Sequence, residues 1–319
     1  MRRDTFLKSL GGLAAASLLP LAARAGSTYK MMIPANPGGG WDTTGRMLGK
    51  ALVEAKAVDA VQYENKGGAA GALGLAQFFT SAKGDPEALI MTGAVMLGGL
   101  ISSRSPLKIQ SCTPIARLTS EYNVFVVEAA SPIRTMKDVV ALLKKDPGSV
   151  KWGGGSKGST EHIAACMLAR QVGVDPKKVN YVAFRGGGEA VSAILGGNVT
   201  VGGSGYSEFA EHIAAGKMRA IGVTSQKRLP GIAVPTLKEQ GYDVVLGNWR
   251  GVYGAPGISA QQRAALVDAV TKATKTKAWQ EALEKNGWTP AFTSGKDFED
   301  FVEYESASLS AIMYLSGMV

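Results

Sequence analysis

The chain has 319 residues, with 35 Lys and Arg against 26 Asp and Glu, a formal net charge of +9, two cysteines and two histidines. Two cysteines make no disulfide framework, and no Cys/His cluster has metal-ligand spacing, so neither a metal nor another cofactor is expected. The basic residues are scattered, without a stripe or interleaved aromatics, which argues against nucleic acid as a partner and fits a small anionic ligand.

Residues 1–25 read as an export signal. Arg2, Arg3 and Lys8 form a basic start, Leu10 to Ala23 an uncharged Leu/Ala-rich stretch, and Ala23-Arg24-Ala25 a small-x-small cleavage site. The mature chain is expected to begin at Gly26 in a bacterial periplasm, by the general or the twin-arginine route. Arg2-Arg3-Asp4-Thr5-Phe6-Leu7-Lys8 hints at the second, with Phe one place late. Cleavage removes four basic residues and one acidic residue, leaving +6. About 294 mature residues exceed one ordinary core and suggest two lobes.

Strand-like and helical runs then alternate. Tyr29–Ile33, Val61–Glu64 and Ala88–Thr92 read as strands, each followed by a helix, at 42–55, 71–82 and 94–101. Tyr122–Glu128 is a longer extended run. Thr135–Lys145 is a helix opened by Thr135-x-x-Asp138. Next come strands near 150–152, 179–184, 199–201 and 219–224, with helices at 160–172, 189–195 and 207–215 between them. Val244–Tyr253 is a second long extended run. The chain then reads as helical to its end, with Ser294-x-x-Asp297 capping the last helix. This is an α/β pattern whose two long runs cross between lobes. Residues 26–125 with 248–319 form the expected first lobe and 126–247 the second.

Three glycine turns stand at strand-to-helix junctions: Pro37-Gly38-Gly39-Gly40-Trp41-Asp42, Gly153-Gly154-Gly155-Ser156-Lys157-Gly158 and Arg185-Gly186-Gly187-Gly188-Glu189. Backbone N–H groups at a helix N-terminus attract an anion, and glycine lets a ligand approach closely. Ligands of open α/β sheets bind beyond the carboxyl ends of strands, where these turns fall. Asp42 reads as an N-cap. Ser156, Ser159 and Thr160 could donate hydroxyl hydrogen bonds, and Lys157 and Arg185 could pair with carboxylates. Trp41, Trp152 and Trp249 are candidates for the cleft wall or for the core, and His162 reads as a structural hydrogen-bonder. Cys112 and Cys166 are equally compatible with a disulfide and with two buried thiols. The second turn also matches G-x-G-x-x-G, but export argues against a dinucleotide, and Lys157-Gly158-Ser159 has the wrong order for a phosphate-binding P-loop. No catalytic motif appears in a fitting context, so the chain reads as no enzyme; the alternative is an exported enzyme acting on a small carboxylate.

The set Pro34-Ala35-Asn36-Pro37-Gly38-Gly39-Gly40-Trp41-Asp42, Tyr63-Glu64-Asn65-Lys66-Gly67-Gly68-Ala69-Ala70-Gly71, Trp152-Gly153-Gly154-Gly155-Ser156, Phe184-Arg185-Gly186-Gly187-Gly188-Glu189-Ala190, Ser204-Gly205-Tyr206-Ser207-Glu208 and Asn248-Trp249-Arg250-Gly251-Val252 resembles the substrate-binding (Bug) proteins of tripartite tricarboxylate transporters. The wording around Trp41 and Asn248–Gly251 is closest to the tricarboxylate-binding branch. The resemblance implies a two-lobed, type II-like periplasmic binding fold with two crossing strands and a ligand enclosed between the lobes. It implies a monomer that delivers a citrate-like di- or tricarboxylate to a membrane permease. Carried over to this chain, the implied contacts are Gly38, Gly39, Gly40, Trp41 and Asp42, then Gly155, Ser156, Lys157, Ser159 and Thr160. Arg185, Gly186, Gly187, Ser204 and Tyr206 complete the far wall, with Trp249 on the crossing strand. Lys157 stands where many members carry a small or neutral residue, which would favour an additional negative charge on the ligand.

Overall fold

The structure is a computed structural model that describes residues 27–184 and 187–319. The expected export signal, Arg185 and Gly186 lie outside the described residues. The chain opens with β1 (Thr28–Ile33), α1 (Gly40–Glu54), β2 (Ala60–Asn65), α2 (Ala72–Ser81), β3 (Ala88–Gly93) and α3 (Ala94–Ser102). It continues through β4 (Thr113–Glu128), α4 (Met136–Lys145), β5 (Lys151–Gly154), α5 (Thr160–Gln171), β6 (Asn180–Ala183), α6 (Gly187–Leu195), β7 (Val201–Gly205), α7 (Tyr206–Ala214) and β8 (Met218–Val223). It closes with β9 (Gly247–Gly254), α8 (Ala260–Ala273), α9 (Lys277–Asn286), β10 (Thr289–Ser294) and α10 (Gly295–Leu315).

Burial follows the apolar periods. Every residue of β3 is buried, as expected for a strand covered on both faces, whereas edge strand β2 alternates exposed and half-buried positions. On α4 the buried residues are Met136, Val139, Val140 and Leu143, the i, i+3, i+4, i+7 stripe of an amphipathic helix. Asp138 accepts the Thr135 N–H at 2.9 Å, so the expected capping residue closes that helix.

The strands form one continuous path, β2-β1-β3-β9-β4-β7-β5-β6, with β10 and β8 also paired to β4. Strand β4 joins its two halves. From Thr113 to Tyr122 it runs antiparallel to β9, and from Asn123 to Glu128 it pairs with β7 and β8. The first half of the path is otherwise parallel at β2-β1-β3, and the second at β7-β5-β6. This is the two-lobed α/β arrangement, with β4 and β9 at the junction.

Two stretches differ from the sequence reading. Strand β4 begins at Thr113, nine residues before the expected extended run. Its first half carries Arg117, Thr119, Ser120 and Glu121, which hide an apolar pattern although Thr119 and Glu121 are buried. The C-terminal part is not helical throughout, because β10 intervenes and pairs antiparallel with β4. Its Pro290 and mostly exposed or half-buried residues give it no apolar alternation. Ser294 does precede α10 as its N-cap residue but makes no side-chain capping bond.

Among the Trp candidates, Trp152 and Trp249 are core residues. Trp152 packs edge-on against Phe125 at 5.2 Å, and Trp249 against Phe301 at 5.3 Å and Phe298 at 6.0 Å. Cys112 and Cys166 are both buried free thiols, and burial pushes each up to about 12.

Candidate functional site

A cavity of about 550 Å³ opens where β4 and β9 cross. One wall comes from the first half of the path: Asn36, Gly39, Gly40 and Trp41, the loop Gly67–Gly71, and Asn248 and Arg250 of β9. The other comes from the second half: Gly155, Ser156, Glu161, Gly203, Ser204 and Glu208, with Asn123 of β4 between.

On the first wall, two helices end at the cavity. Gly39 is the N-cap of α1 and Gly71 the N-cap of α2, and neither helix has a side-chain capping bond. The positive ends of both helix dipoles therefore lie beside the cavity, with Asp42 in the first turn of α1 and the first amide of α2, that of Ala72, bonded to Ala69 O. Leading into α2, Gly68, Ala69, Ala70 and Gly71 all have positive φ, of 124°, 48°, 55° and 91°. For the two alanines that is left-handed backbone, costing on the order of 1–3 kcal/mol each, and it bends the loop around the cavity.

Asp42 is not the N-cap but sits inside the first turn of α1, where it accepts from Gly38 N–H at 3.0 Å, Arg46 Nε at 3.0 Å and Asn65 Nδ2 at 2.9 Å. Burial raises its carboxyl, but these donors outweigh that and hold it below the ordinary range. Asp42 thereby takes up the Gly38 amide and ties the first glycine turn to β2. Asn65 Nδ2 also reaches Ala35 O at 3.1 Å.

On the second wall, the glycines serve a residue that the sequence reading did not single out. Glu161, 6% exposed, accepts the Gly155 N–H through Oε1 at 2.6 Å and Thr160 Oγ1 through Oε2 at 3.3 Å. A Cβ at Gly154 would lie 2.6 Å from Glu161 Cγ, and one at Gly203 would lie 2.9 Å from Glu161 Cβ. Burial raises the Glu161 carboxyl, the Gly155 amide and Ser159 oppose that, and Glu208 adds to it. Ser204 Oγ donates to Glu208, which also lines the cavity.

The floor holds a buried ion pair. Arg250 donates to Glu121, their side chains being 4% and 5% exposed. Asn248 Nδ2 donates to Glu121 Oε1 at 3.2 Å, and Arg250 Nη1 reaches Thr44 Oγ1 at 3.3 Å. Glu121 is pushed up by burial, against the pull of Arg250.

The structure thus brings Gly39, Gly40, Trp41, Gly155, Ser156 and Ser204 together around the cavity. Gly38 and Asp42 are engaged with each other behind the turn. Ser159 and Thr160 are buried beneath it, Ser159 against Tyr181 Oη at 3.1 Å and Thr160 against Glu161. Lys157 is exposed and faces a different recess, beside His162 and Lys177. Tyr206 stands at a shallow recess near Tyr122 and Leu229, and Trp249 lies in the core. Gly187 begins α6. His162 is structural: its Nδ1 accepts from Gly158 N–H at 3.0 Å and its ring stacks on Tyr181 at 4.1 Å. Glu161, Asn123 and Glu121 are residues that sequence reasoning missed, and Glu208, Asn248 and Arg250 stood in the family-like segments but were given no contact. Polar side chains within apolar strands were the available signal for Glu121 and Asn123.

Comparison with known proteins assigns this architecture. The family model described as "Tripartite tricarboxylate transporter family receptor" matches residues 46–318. Protein BugT of Bordetella pertussis is 26% identical over 293 residues, covering 90% of this chain and 89% of that one. MatC of Rhodopseudomonas palustris, solved with bound malate, superposes with a TM-score of 0.79 at 21% identity over 89% of this chain and 98% of that one. Rpa4515 of R. palustris, solved with adipate, gives 0.81 at 20% identity over 91% of this chain and 97% of that one. These two structures share the fold, and the sequence match runs through both halves of the sheet. The chain belongs to the tripartite tricarboxylate transporter receptor family, whose members are solute-binding proteins of the periplasm.

Proposed function

We propose that the protein is an extracytoplasmic receptor that closes on a small organic carboxylate and hands it to the membrane permease of a tripartite tricarboxylate transporter. The class it is read to accept is di- and tricarboxylates of citrate, malate or adipate size. The observation that carries this reading is the pair of helix N-termini without side-chain caps, those of α1 and α2, on one wall of the cavity. A carboxylate there gains from both dipoles and from charge-assisted bonds to backbone amides. The malate and adipate held by two proteins of the same fold support the choice of class.

The lobes are read as residues 26–125 with 248–319, and 126–247. Their relative movement would be accommodated where β4 exchanges β9 for β7, between Tyr122 and Asn123. Closure would then bring Ser156 and Ser204 onto a ligand seated against Gly39 and Gly40, and the closed form would be the one the permease recognises. Nothing in this scheme changes the ligand covalently, which separates it from the reading as an exported enzyme.

The test is a thermal-shift panel of di- and tricarboxylates on the purified protein, followed by recovery of the bound acid. A raised Tm with at least one acid, recovered unchanged, is expected. No shift with any acid would overturn the carboxylate class. Conversion of the bound acid would overturn the receptor.

A further inference from the structure

The wall opposite the helix N-termini carries acids where a ligand carboxylate has to sit. Glu161 lines the cavity and holds the Gly155 N–H on Oε1 at 2.6 Å. A Cβ at Gly154 or Gly203 would strike its side chain, so the wall keeps a place for it. The titratable groups around it are Glu208 from α7, Glu121 from β4 and Tyr181 from β6, and Glu208 lines the same cavity. His162, next on α5, is turned to Gly158 and Tyr181. No described cation pairs with Glu161, and Arg250, the cation among the described lining residues, is engaged by Glu121. A ligand carboxylate at this wall therefore meets Glu161 and Glu208 as like charges.

The floor beside it holds a donor that lacks an acceptor. Asn123 is 1% exposed and lines the cavity, and neither its Nδ2 nor its Oδ1 has a hydrogen-bond partner. Whichever way this amide is turned, one buried NH2 group is left unsatisfied, which costs free energy until an acceptor meets it. Asn248 spends its Nδ2 on Glu121, and its buried Oδ1 also lacks a partner. The floor thus has one NH2 group and two amide oxygens without partners. One neutral amide does not offset two like charges, and a proton on Glu161 supplies what is missing. The acid form keeps the Gly155 N–H on Oε1, no longer repels an anion and presents an O–H to it.

Resting on the reading of the cleft as a carboxylate receptor, we propose that Glu161 binds the ligand in its acid form: a ligand carboxylate accepts from the Glu161 O–H and from the NH2 of Asn123, and binding takes up one proton from solvent. The proton lodges on Glu161 because Glu208 is only half-buried and Glu121 is paired with Arg250. No bond of the ligand breaks, and the proton returns to solvent when the ligand leaves. The complex holds a proton that the empty protein has released, so affinity falls as pH rises.

Titration calorimetry of the purified protein with malate, with adipate and with the acid that raises Tm most, each in two buffers of different ionisation enthalpy, counts the protons. The range from about pH 6.5 to 8.5 lies well above ordinary carboxylate pKa values, so uptake there reports the protein rather than the ligand. Uptake of about half a proton or more per ligand at about pH 8 is expected, with a Kd that weakens at least about fivefold across the range. Glu161→Gln carries an NH2 where the acid carries its O–H. It should bind at about pH 8 at least as tightly as the parent, with little uptake and a Kd constant within about twofold. Glu208→Gln should keep the uptake, and it is the variant to read if Glu161→Gln fails to fold. Uptake that persists in Glu161→Gln, or is lost in Glu208→Gln, would overturn the placement of the proton. Binding without proton exchange and with a Kd indifferent to pH would overturn this proposal and leave the carboxylate receptor standing. Binding of no acid in the thermal-shift panel would overturn both.

Discussion

Arg250→Met isolates the buried charge beneath the cleft. Thr119 faces Arg250 and Glu121 faces Asn248 in the β4–β9 register, so Glu121 and Arg250 are diagonal neighbours on one face of the crossing strands. Removing the guanidinium leaves the Glu121 carboxylate almost fully buried with the Asn248 amide as its hydrogen-bond donor. Breaking such a pair from one side costs about 3–5 kcal/mol, whereas removing both charges is often close to neutral. At roughly 2 °C per kcal/mol for a chain of this size, Arg250→Met should lower Tm by about 6–10 °C at pH 8. Arg250→Met combined with Glu121→Gln should recover more than half of that. The pH dependence has a definite sign. Without Arg250, burial and the neighbouring Glu208 and Glu161 all raise the folded-state carboxyl above its ordinary 4.5. The folded state then binds more protons than the unfolded one above about pH 4.5, so stability falls as pH rises. The deficit of the single variant should therefore be smaller at pH 5 than at pH 8. Paired urea melts at the two pH values measure it. A loss under about 1 kcal/mol at pH 8, a double variant as weak as the single, or a deficit indifferent to pH would each refute the reasoning.

Three further outcomes follow from the second glycine turn. Burial, and then Lys157, lower His162 to about 4, so its contribution to stability is complete above about pH 6.5 and is lost as pH falls towards 4. His162→Gln should remove up to about 3 kcal/mol of that acid dependence, read from Tm between pH 4.5 and 7. Gly154→Ala places a methyl 2.6 Å from Glu161 Cγ and 2.9 Å from the Gly203 carbonyl oxygen, which cannot yield as a side-chain tip can. It should cost about 1–3 kcal/mol by urea melt, and a Tm within 1 °C of the parent would show that the slot is looser than the structure has it. Lys157→Ala should leave carboxylate affinity unchanged in titration calorimetry, because the ammonium faces another recess. A tenfold weakening would return Lys157 to the cleft.

The fold was legible wherever one local pattern sufficed. The alternation of strand and helix from Thr28 to Val223 is visible mostly because helices such as α4 carry an apolar stripe and strands such as β3 an apolar run, while β7, with Gly202, Gly203 and Gly205, lies mostly past the strand expected at 199–201. It failed where burial was not apolar. The first half of β4 packs Thr119 and Glu121 inside because β9 brings Arg250 and Asn248 to meet them, and no local window contains both strands. Strand β10 failed for the opposite reason: it is an edge partner of β4 with little buried surface, so its residues bear no mark of a sheet.

The glycine turns show how one residue type can hide two designs. Glycine at a strand-to-helix junction signals that something approaches the backbone closely, and in both turns something does. In the first turn a Cβ at Gly40 would collide with the Arg250 guanidinium, and the helix end beyond it lies open to the cavity. In the second turn, what approaches is the chain's own Glu161, which lies on the first turn of α5 and reaches back to the Gly155 amide. A sequence motif records the room but not its occupant. The occupant decides the electrostatics: one wall presents two helix N-termini without side-chain caps, and the other presents a carboxylate where a matching site for anions was expected. Two similar turns thus make unlike walls, one with helix N-termini and one with the Glu161 carboxylate. That difference between the walls, rather than the glycines themselves, is what the two turns contribute to the cavity.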